Sequence, residues 1–234
     1  MKNDSLGDRM KRNYENCYRL YLTRRTPVIV RVDGKAFHSL PLKKPFDDDF
    51  MTAMVNAAMH TAKEMQGFKL GYVQSDEASF LLTDFEDLTT EAWFGYNLQK
   101  IVSVTAALMT EWFHYESEAV LVKSRHSAIV FDTRAFNMPE GEVANYFLWR
   151  AKDWERNSVQ MYCQSHFSHK DLDGKGRDDQ HEMLYSMGKN WATDLTEQQR
   201  NGTFFAKDFW YHNIQPTFAV INGLVEDVMP IHLR

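Results

Sequence analysis

Apolar positions along the chain change their spacing several times, and each change marks an element. Over residues 6–22 they recur with a helical period, until Thr26-Pro27 interrupts them. The β-branched run Val28-Ile29-Val30-Arg31-Val32 then reads as a short buried strand ending at Asp33-Gly34. Met51, Met54, Val55, Ala58, Ala62 and Met65 return to helical spacing and stop at Gly67, the residue type that a helix C-cap favours. That methionine stripe is core. From Lys69 onward two strand-like runs, LGYVQ and ASFLL, flank Ser75-Asp76-Glu77 and predict a hairpin with acidic residues at its tip. Phe94, Leu98, Ile101, Val102, Thr105, Leu108, Met109 and Trp112 predict a long amphipathic helix. Ser127–Phe131 reads as a further strand, followed by a helix over about 139–164.

In order this is helix, β-α-β-β-α-β, then more helix. The fold class is therefore α+β: a palm-like, ferredoxin-like antiparallel sheet backed by helices, with extra helices at both ends. Residues 166–202 are polar and read as loop, and 203–234 are aromatic and too poorly periodic to assign. No repeat or flexible linker interrupts the pattern, so residues 1–234 are expected to form a single palm-type domain with a helical N-terminal segment and a C-terminal extension.

Composition narrows the class. With 234 residues, 44% hydrophobic and 25% charged, the chain can bury a sizeable core. No stretch approaches the length of a membrane span and the N-terminus lacks the pattern of a signal peptide, so a soluble cytoplasmic protein without a membrane partner is expected. Cys17 and Cys163 are too few and too far apart for a disulfide framework or a zinc site. A net charge of −5 argues against a protein that coats nucleic acid. Yet Lys2, Arg9, Lys11, Arg12, Arg19, Arg24 and Arg25, set against Asp4, Asp8 and Glu15, leave residues 1–25 at about +4, where an anionic partner could dock or where a helix simply meets solvent.

The candidate chemistry lies where strands end. In this topology Asp33, at the end of the first strand, and Asp76, at the tip of the neighbouring hairpin, can meet. Magnesium takes oxygen ligands, one or two carboxylates and substrate phosphates. Two carboxylates can hold an ion pair that stabilises both the attacking and the leaving oxygens of a phosphoryl displacement. Gly34, without a Cβ, would let a triphosphate approach the backbone. On spacing alone the same residues also read as a turn and a solvent-facing hairpin tip. The stretch Asp171–Glu182 mimics a calcium loop at several positions, but Lys175 would place an ammonium inside the cage and the sequence before it is a poor helix end. His166, His169 and His181 lack accompanying cysteines and read as surface residues rather than zinc ligands.

Five segments occur in a telling order: Arg31-Val-Asp-Gly-Lys-Ala-Phe-His38, Lys44-Pro-Phe-Asp47, Tyr72-Val-Gln-Ser-Asp-Glu77, Trp93-Phe94 with Lys100, and Phe131-Asp-Thr-Arg134. Over roughly residues 7–162 the chain resembles the tRNA-His guanylyltransferase family and its relatives, the 3′–5′ RNA polymerases. The resemblance implies that Asp33, Asp76 and the Gly34 carbonyl hold two Mg2+ ions and that Lys44 assists nucleotide activation. It implies further that Arg31, Lys100 and Arg134 contact a triphosphate, and that Lys35, Ala36, Phe37, His38, Ser75 and Glu77 lie with Gly34 at the nucleotide-binding surface. On residue grounds His38 also reads as a core histidine. ATP or GTP would be the activating substrate, tRNA the acceptor, and a homotetramer the working form.

One tract departs from the family. Where guanylyltransferases proper carry HINNLYN, this chain has Glu155-Arg-Asn-Ser-Val-Gln-Met161 and keeps only Asn157. The match there is closer to the bacterial and viral-type guanylyltransferase-like proteins, which implies template-directed 5′-end repair rather than strict selection of histidine tRNA. Arg150, Lys152 and Asn157 are candidate RNA contacts on that helix. Three rival readings are a guanylyltransferase proper, a palm-type nucleotide cyclase needing no RNA, and a non-catalytic RNA-binding protein.

Overall fold

The computed structural model describes residues 5–117, 129–207, 209–211 and 214–230. At its centre, antiparallel strands β1 (Val28–Gly34), β2 (Phe68–Gln74), β3 (Glu77–Leu82), β4 (Phe131–Asn137), β5 (Thr203–Ala206) and β6 (Phe209–Tyr211) form one sheet in the order β4-β1-β3-β2-β5-β6. The first four strands keep the order expected of a βαββαβ frame. The helices at the chain's start are α1 (Leu6–Met10), α2 (Asp48–Lys63) and α3 (Leu98–Glu116). Those that follow are α4 (Val143–Gln164), α5 (His169–Leu172), α6 (Arg177–Ser186), α7 (Trp191–Asp194), α8 (Glu197–Asn201) and α9 (Phe218–Val228).

Strand alternation divides the core in two, because successive side chains point to opposite faces of a sheet. Val28, Val30, Val32, Ala78, Phe80 and Leu82 pack with α2 and α3. Ile29, Leu70, Tyr72, Leu81 and Phe204 pack with Tyr146 and Phe147 of α4 and Ile221 and Val225 of α9. By the same alternation Arg31 and Asp33 of β1, and Glu77 and Ser79 of β3, belong to the α4 face. There the Ser79 and Tyr146 hydroxyls share a hydrogen bond of 2.8 Å.

Several boundaries differ from the sequence reading, each for a physical reason. The expected helix over 6–22 is α-helical only through Met10. It then loosens into a π turn, Lys11–Glu15, and tightens into a 3-10 turn, Asn16–Tyr18, with no side chain buried to hold it. Residues beyond it are extended and pair with the α3 entry, Leu22 N–H donating to the Tyr96 carbonyl at 2.9 Å. Helix α3 starts at Leu98 rather than Phe94, because Asn97 caps it while Phe94 and Gly95 adopt left-handed backbone. The strand expected at 127–131 falls partly outside the described residues. The observed strand is Phe131–Asn137, whose Asp132 and Arg134 obscure its alternation.

The polar stretch 166–202 is helical, not loop. Its short helices α5 to α8 are fastened to α4 by a separate cluster of Val159, Tyr162, Cys163, Leu184, Trp191 and Leu195. In the calcium-loop mimic, Asp179 is spent on the α6 N-terminus, accepting from Gly176 N–H at 2.9 Å. The unassigned end supplies β5, which extends the sheet beside β2, then β6 and α9. No helix among the described residues is long and apolar enough to cross a membrane.

Candidate active site

Two residues link β2 to β3: Gln74 pairs with Glu77, leaving Ser75 and Asp76 as the loop. So tight a hairpin favours positive φ, normally glycine, yet Ser75 takes φ 49. Ala36, just past β1, takes φ 59. Non-glycine residues in this region cost about 1–2 kcal/mol each and cluster where a site dictates the backbone. The hairpin tip docks on β1 through Gly34 N–H, which donates to the Asp76 carbonyl at 3.0 Å. Gly34 is required here for packing: a Cβ would stand 2.7 Å from the Phe37 ring, so the space the sequence suggested for a triphosphate is taken by Phe37.

Asp33 and Asp76 face one cavity of about 460 Å³, within the range of small-molecule sites. The β1 end and the hairpin also supply Gly34 and Ser75, and the segment leading into α2 supplies a second wall of His38, Lys43, Lys44 and Asp47. Phe37, Phe46, Phe50, Met51, Trp154 and Met161 supply its apolar surface. A larger concavity of about 600 Å³ lies between the end of α2 and β5, and it contains none of the expected site residues.

The electrostatics of Asp76 are unfavourable without a cation. Burial, and then the neighbouring Asp33 carboxylate, push the Asp76 carboxyl above the usual range despite hydrogen bonds that favour its ionised form. On β1, Asp33 also sits in register between Asp132 and Glu77. Arg31 Nη2 lies 3.1 Å from Asp33 and 2.5 Å from Glu77, and Arg134 lies 3.2 Å from Asp132. Among the described residues no three His, Cys, Asp or Glu side chains converge as a metal cage. Two carboxylates on one cavity, that of Asp76 desolvated, are nonetheless the donor set that magnesium uses when substrate phosphates complete its shell. Asp33 and Asp76 fit that ion.

The remaining candidates divide. His38 is exposed on the cavity wall, not in the core. Phe37 is core, packed edge-on against Phe131 and Phe50, with its ring centre 5.4 Å from that of Phe113. Lys35 is exposed, its N–H donating to the Val130 carbonyl. Arg134 sits beside Arg31 in the β1–β4 register. Lys100 lies at the far end of the sheet, in a groove with Arg19, Tyr21 and Phe94. Lys152 is exposed and bonded to Glu155, and Asn157 is half-buried.

Arg150 corrects an expectation. Read as an RNA contact, it is buried instead, with its guanidinium spent on Glu77 at 2.6 and 2.8 Å and on Asp153 at 3.1 Å. The cavity residues Asp47, Phe46, Trp154 and Met161 were given no role from sequence. Arg150, Trp154 and Ser158, spaced four apart on α4, carried the available signal.

The model of the tRNA-His guanylyltransferase family matches residues 7–139 of this chain. The chain belongs to that family. It is therefore a nucleotidyltransferase, as its curated relatives are named. A probable tRNA(His) guanylyltransferase of Dictyostelium discoideum is 26% identical over 77% of this chain and 75% of its own length. Among solved structures, a bacterial tRNA(His) guanylyltransferase-like protein in complex with ATP superposes with a TM-score of 0.89 and 39% identity, covering 96% of this chain and 99% of that one. A second such protein, in complex with GTP, gives 0.80 and 37% over the same shares. The Saccharomyces cerevisiae enzyme, 20% identical with a TM-score of 0.78, shares the fold. The family match ends within the turn before α4, so the tract that departs from HINNLYN lies beyond it.

Proposed function

We propose that this enzyme adds nucleotides in the 3′–5′ direction to the 5′ end of tRNA, following the opposite strand as template. The observation that carries the reading is the pair Asp33 and Asp76, the latter desolvated, lining with Lys44 one cavity sized for a nucleotide. The similarity to guanylyltransferase-like proteins solved with ATP and with GTP supports a triphosphate as its occupant. Asp33, Asp76 and the Gly34 carbonyl would hold two Mg2+ ions, which when bound offset charge on the attacking and leaving oxygens. In the first stage the RNA 5′-monophosphate attacks the α-phosphate of ATP or GTP and pyrophosphate leaves, giving a 5′-5′ linked end. Lys44, in the lining of the same cavity, offsets charge at that phosphate. In the second, the 3′-hydroxyl of an incoming nucleoside triphosphate attacks the activated end and releases the nucleoside monophosphate.

Template direction rests on the α4 tract. Glu155, at the first position of the departed HINNLYN run, is engaged by Lys152 at 3.0 Å and by Arg177. Arg156 is paired with Asp153. With the tract so altered, discrimination passes to pairing of the incoming base. A homotetramer in the cytoplasm belongs to the same reading. Leu6, Met10, Tyr14 and Tyr18 form an apolar stripe, each 41% or more exposed. Lys100, in the first turn of α3, lines a groove separate from the cavity of the aspartates, so in this reading it serves a triphosphate held by another subunit.

The test is extension of 5′-truncated, 5′-monophosphorylated non-histidine tRNAs carrying each of the four template bases. The added base should follow the template. Addition of G alone, and only to histidine tRNA, would favour a guanylyltransferase proper. A cyclic product from labelled ATP or GTP without tRNA would favour a cyclase.

A further inference from the structure

We infer that Arg150 is a positioning residue for Asp33, acting through a relay of Glu77 and Arg31. The inference rests on the reading of Asp33 as a metal ligand. Three elements carry the relay. From α4, Arg150 Nε and Nη2 donate to the two oxygens of Glu77 on β3 at 2.6 and 2.8 Å. Glu77 Oε2 then meets Arg31 Nη2 of β1 at 2.5 Å, and the same nitrogen donates to Asp33 Oδ2 at 3.1 Å.

Burial gives the relay its consequence. The side chains of Arg150 and Glu77 are each 5% exposed, and that of Arg31 is 21% exposed, so solvent screens none of these charges well. Asp33 lies in register between two other acids, Asp132 on β4 and Glu77 on β3, all on the face that α4 covers. Like charges directly opposite on a sheet repel, and an unconstrained Asp33 would turn away from them. Arg134 compensates Asp132 at 3.2 Å. Glu77 is compensated twice, and the fork geometry of Arg150 fixes the plane of its carboxylate. That leaves Arg31 a single place to stand, between Glu77 and Asp33, where it holds the Asp33 carboxylate by one oxygen and leaves the other for a cation. Arg150 is fixed in turn by Asp153 at 3.1 Å and by the Trp149 ring, whose centre is 4.5 Å from its guanidinium carbon. The α4 helix thereby sets the ligand geometry of a site to which Arg150 contributes no atom.

The test is Mn2+ binding, followed by electron paramagnetic resonance of the free ion, on full-length folded protein, with single-turnover activation measured in parallel. Partners that orient a metal ligand typically change affinity or activity about 10–100-fold when removed. Arg150→Gln should therefore weaken Mn2+ binding about 10-fold and slow activation about 10–100-fold, with KM for ATP within about threefold. Glu77→Gln should do the same and decides the question if Arg150→Gln fails to fold. Asn145→Ala, at an exposed α4 position bonded to Glu142 and outside the relay, should stay within about twofold of wild type. A purely structural Arg150 would lower the melting temperature while the folded protein bound Mn2+ normally, and that result, or normal binding by Glu77→Gln, overturns the relay. Asp33→Asn separates the two readings: if it loses Mn2+ while Arg150→Gln and Glu77→Gln do not, the relay alone fails, and if it binds Mn2+ normally, the metal-site reading fails with it.

Discussion

The α2 wall and the hairpin wall of the cavity each carry a desolvated aspartate, and the protein treats them oppositely. Asp47 caps α2: its carboxylate accepts from Phe50 N–H at 3.1 Å and from Lys43 N–H at 2.9 Å. Burial alone would raise its pKa, but those backbone donors outweigh burial and hold it below the usual carboxylate value. On the hairpin tip Asp76 is also desolvated, and the neighbouring charges that act on it are acids, Asp33 first, so its pKa is raised. One wall spends its carboxylate on folding. The other keeps a carboxylate whose charge burial and Asp33 disfavour, where a cation and phosphates can answer it, which is how function departs from stability at a site.

The widest gap between the walls should appear in catalysis. Asp33→Ala and Asp76→Ala are each expected to reduce activation and nucleotide addition by about 10³-fold or more, the scale of losing a positioned electrostatic stabiliser. Circular dichroism should show the fold intact, because neither change removes core volume. Near-normal rates with magnesium for either variant would place the metal elsewhere.

The contrast was half legible in the sequence. The strand ending at Asp33 and the hairpin presenting Asp76 were readable because β-branched runs and a two-residue turn are local signals. Asp47 closes the segment Lys44-Pro-Phe-Asp47, yet its capping role depends on where α2 begins, which periodicity fixes only to within a few residues. Glu77 and Arg150 are 73 residues apart, and nothing local announces that α4 crosses over the hairpin. The helices between 166 and 202 escaped notice for a related reason: they are four to ten residues long, too short for a periodic pattern, and are held by α4 rather than by their own apolar faces.

Within the Asp47 wall, Lys44 should be separable from the aspartates. Lys44→Ala is expected to slow activation about 10–100-fold, the loss of one charge-assisted contact to phosphate, while addition to a pre-activated 5′-5′ linked RNA stays within about threefold. Single-turnover assays on the two substrates measure this. Equal losses in both would mean that the two walls act as one unit in both stages.

Stability should show the opposite hierarchy. Asp47→Ala removes an N-cap and should cost about 1–2 kcal/mol, or roughly 2–8 °C in melting temperature for a chain of this size. The sign follows from its lowered pKa. The stabilisation is fully present above about pH 4, the ordinary carboxylate value, and fades as pH falls through the lower folded value. The gap between wild type and variant should therefore narrow only below about pH 4. A gap independent of pH would mean that the carboxylate's charge is not what the cap uses.

The smallest effect is the most diagnostic, because it carries the reverse sign. Asp76→Asn keeps the shape of the hairpin tip and removes the charge that burial and Asp33 oppose. In metal-free buffer at pH 7 it should stabilise the protein by a few tenths to about 1 kcal/mol, the range for relieving a like-charge pair on a sheet. For an acid with a raised folded pKa, the penalty is absent below the ordinary carboxylate value, grows as pH rises through the folded value, and is complete above it. The gain from Asp76→Asn should accordingly vanish near pH 4 and be larger at pH 7. Added Mg2+ together with ATP should reverse the order, stabilising wild type and leaving the variant unmoved, since only the wild type keeps the ligand that binding rewards. Thermal melts at pH 4 and pH 7, with and without Mg2+ and ATP, measure all four corners. A variant less stable than wild type at pH 7 without metal would show that Asp76 is satisfied within the fold, and the contrast between the two walls would collapse.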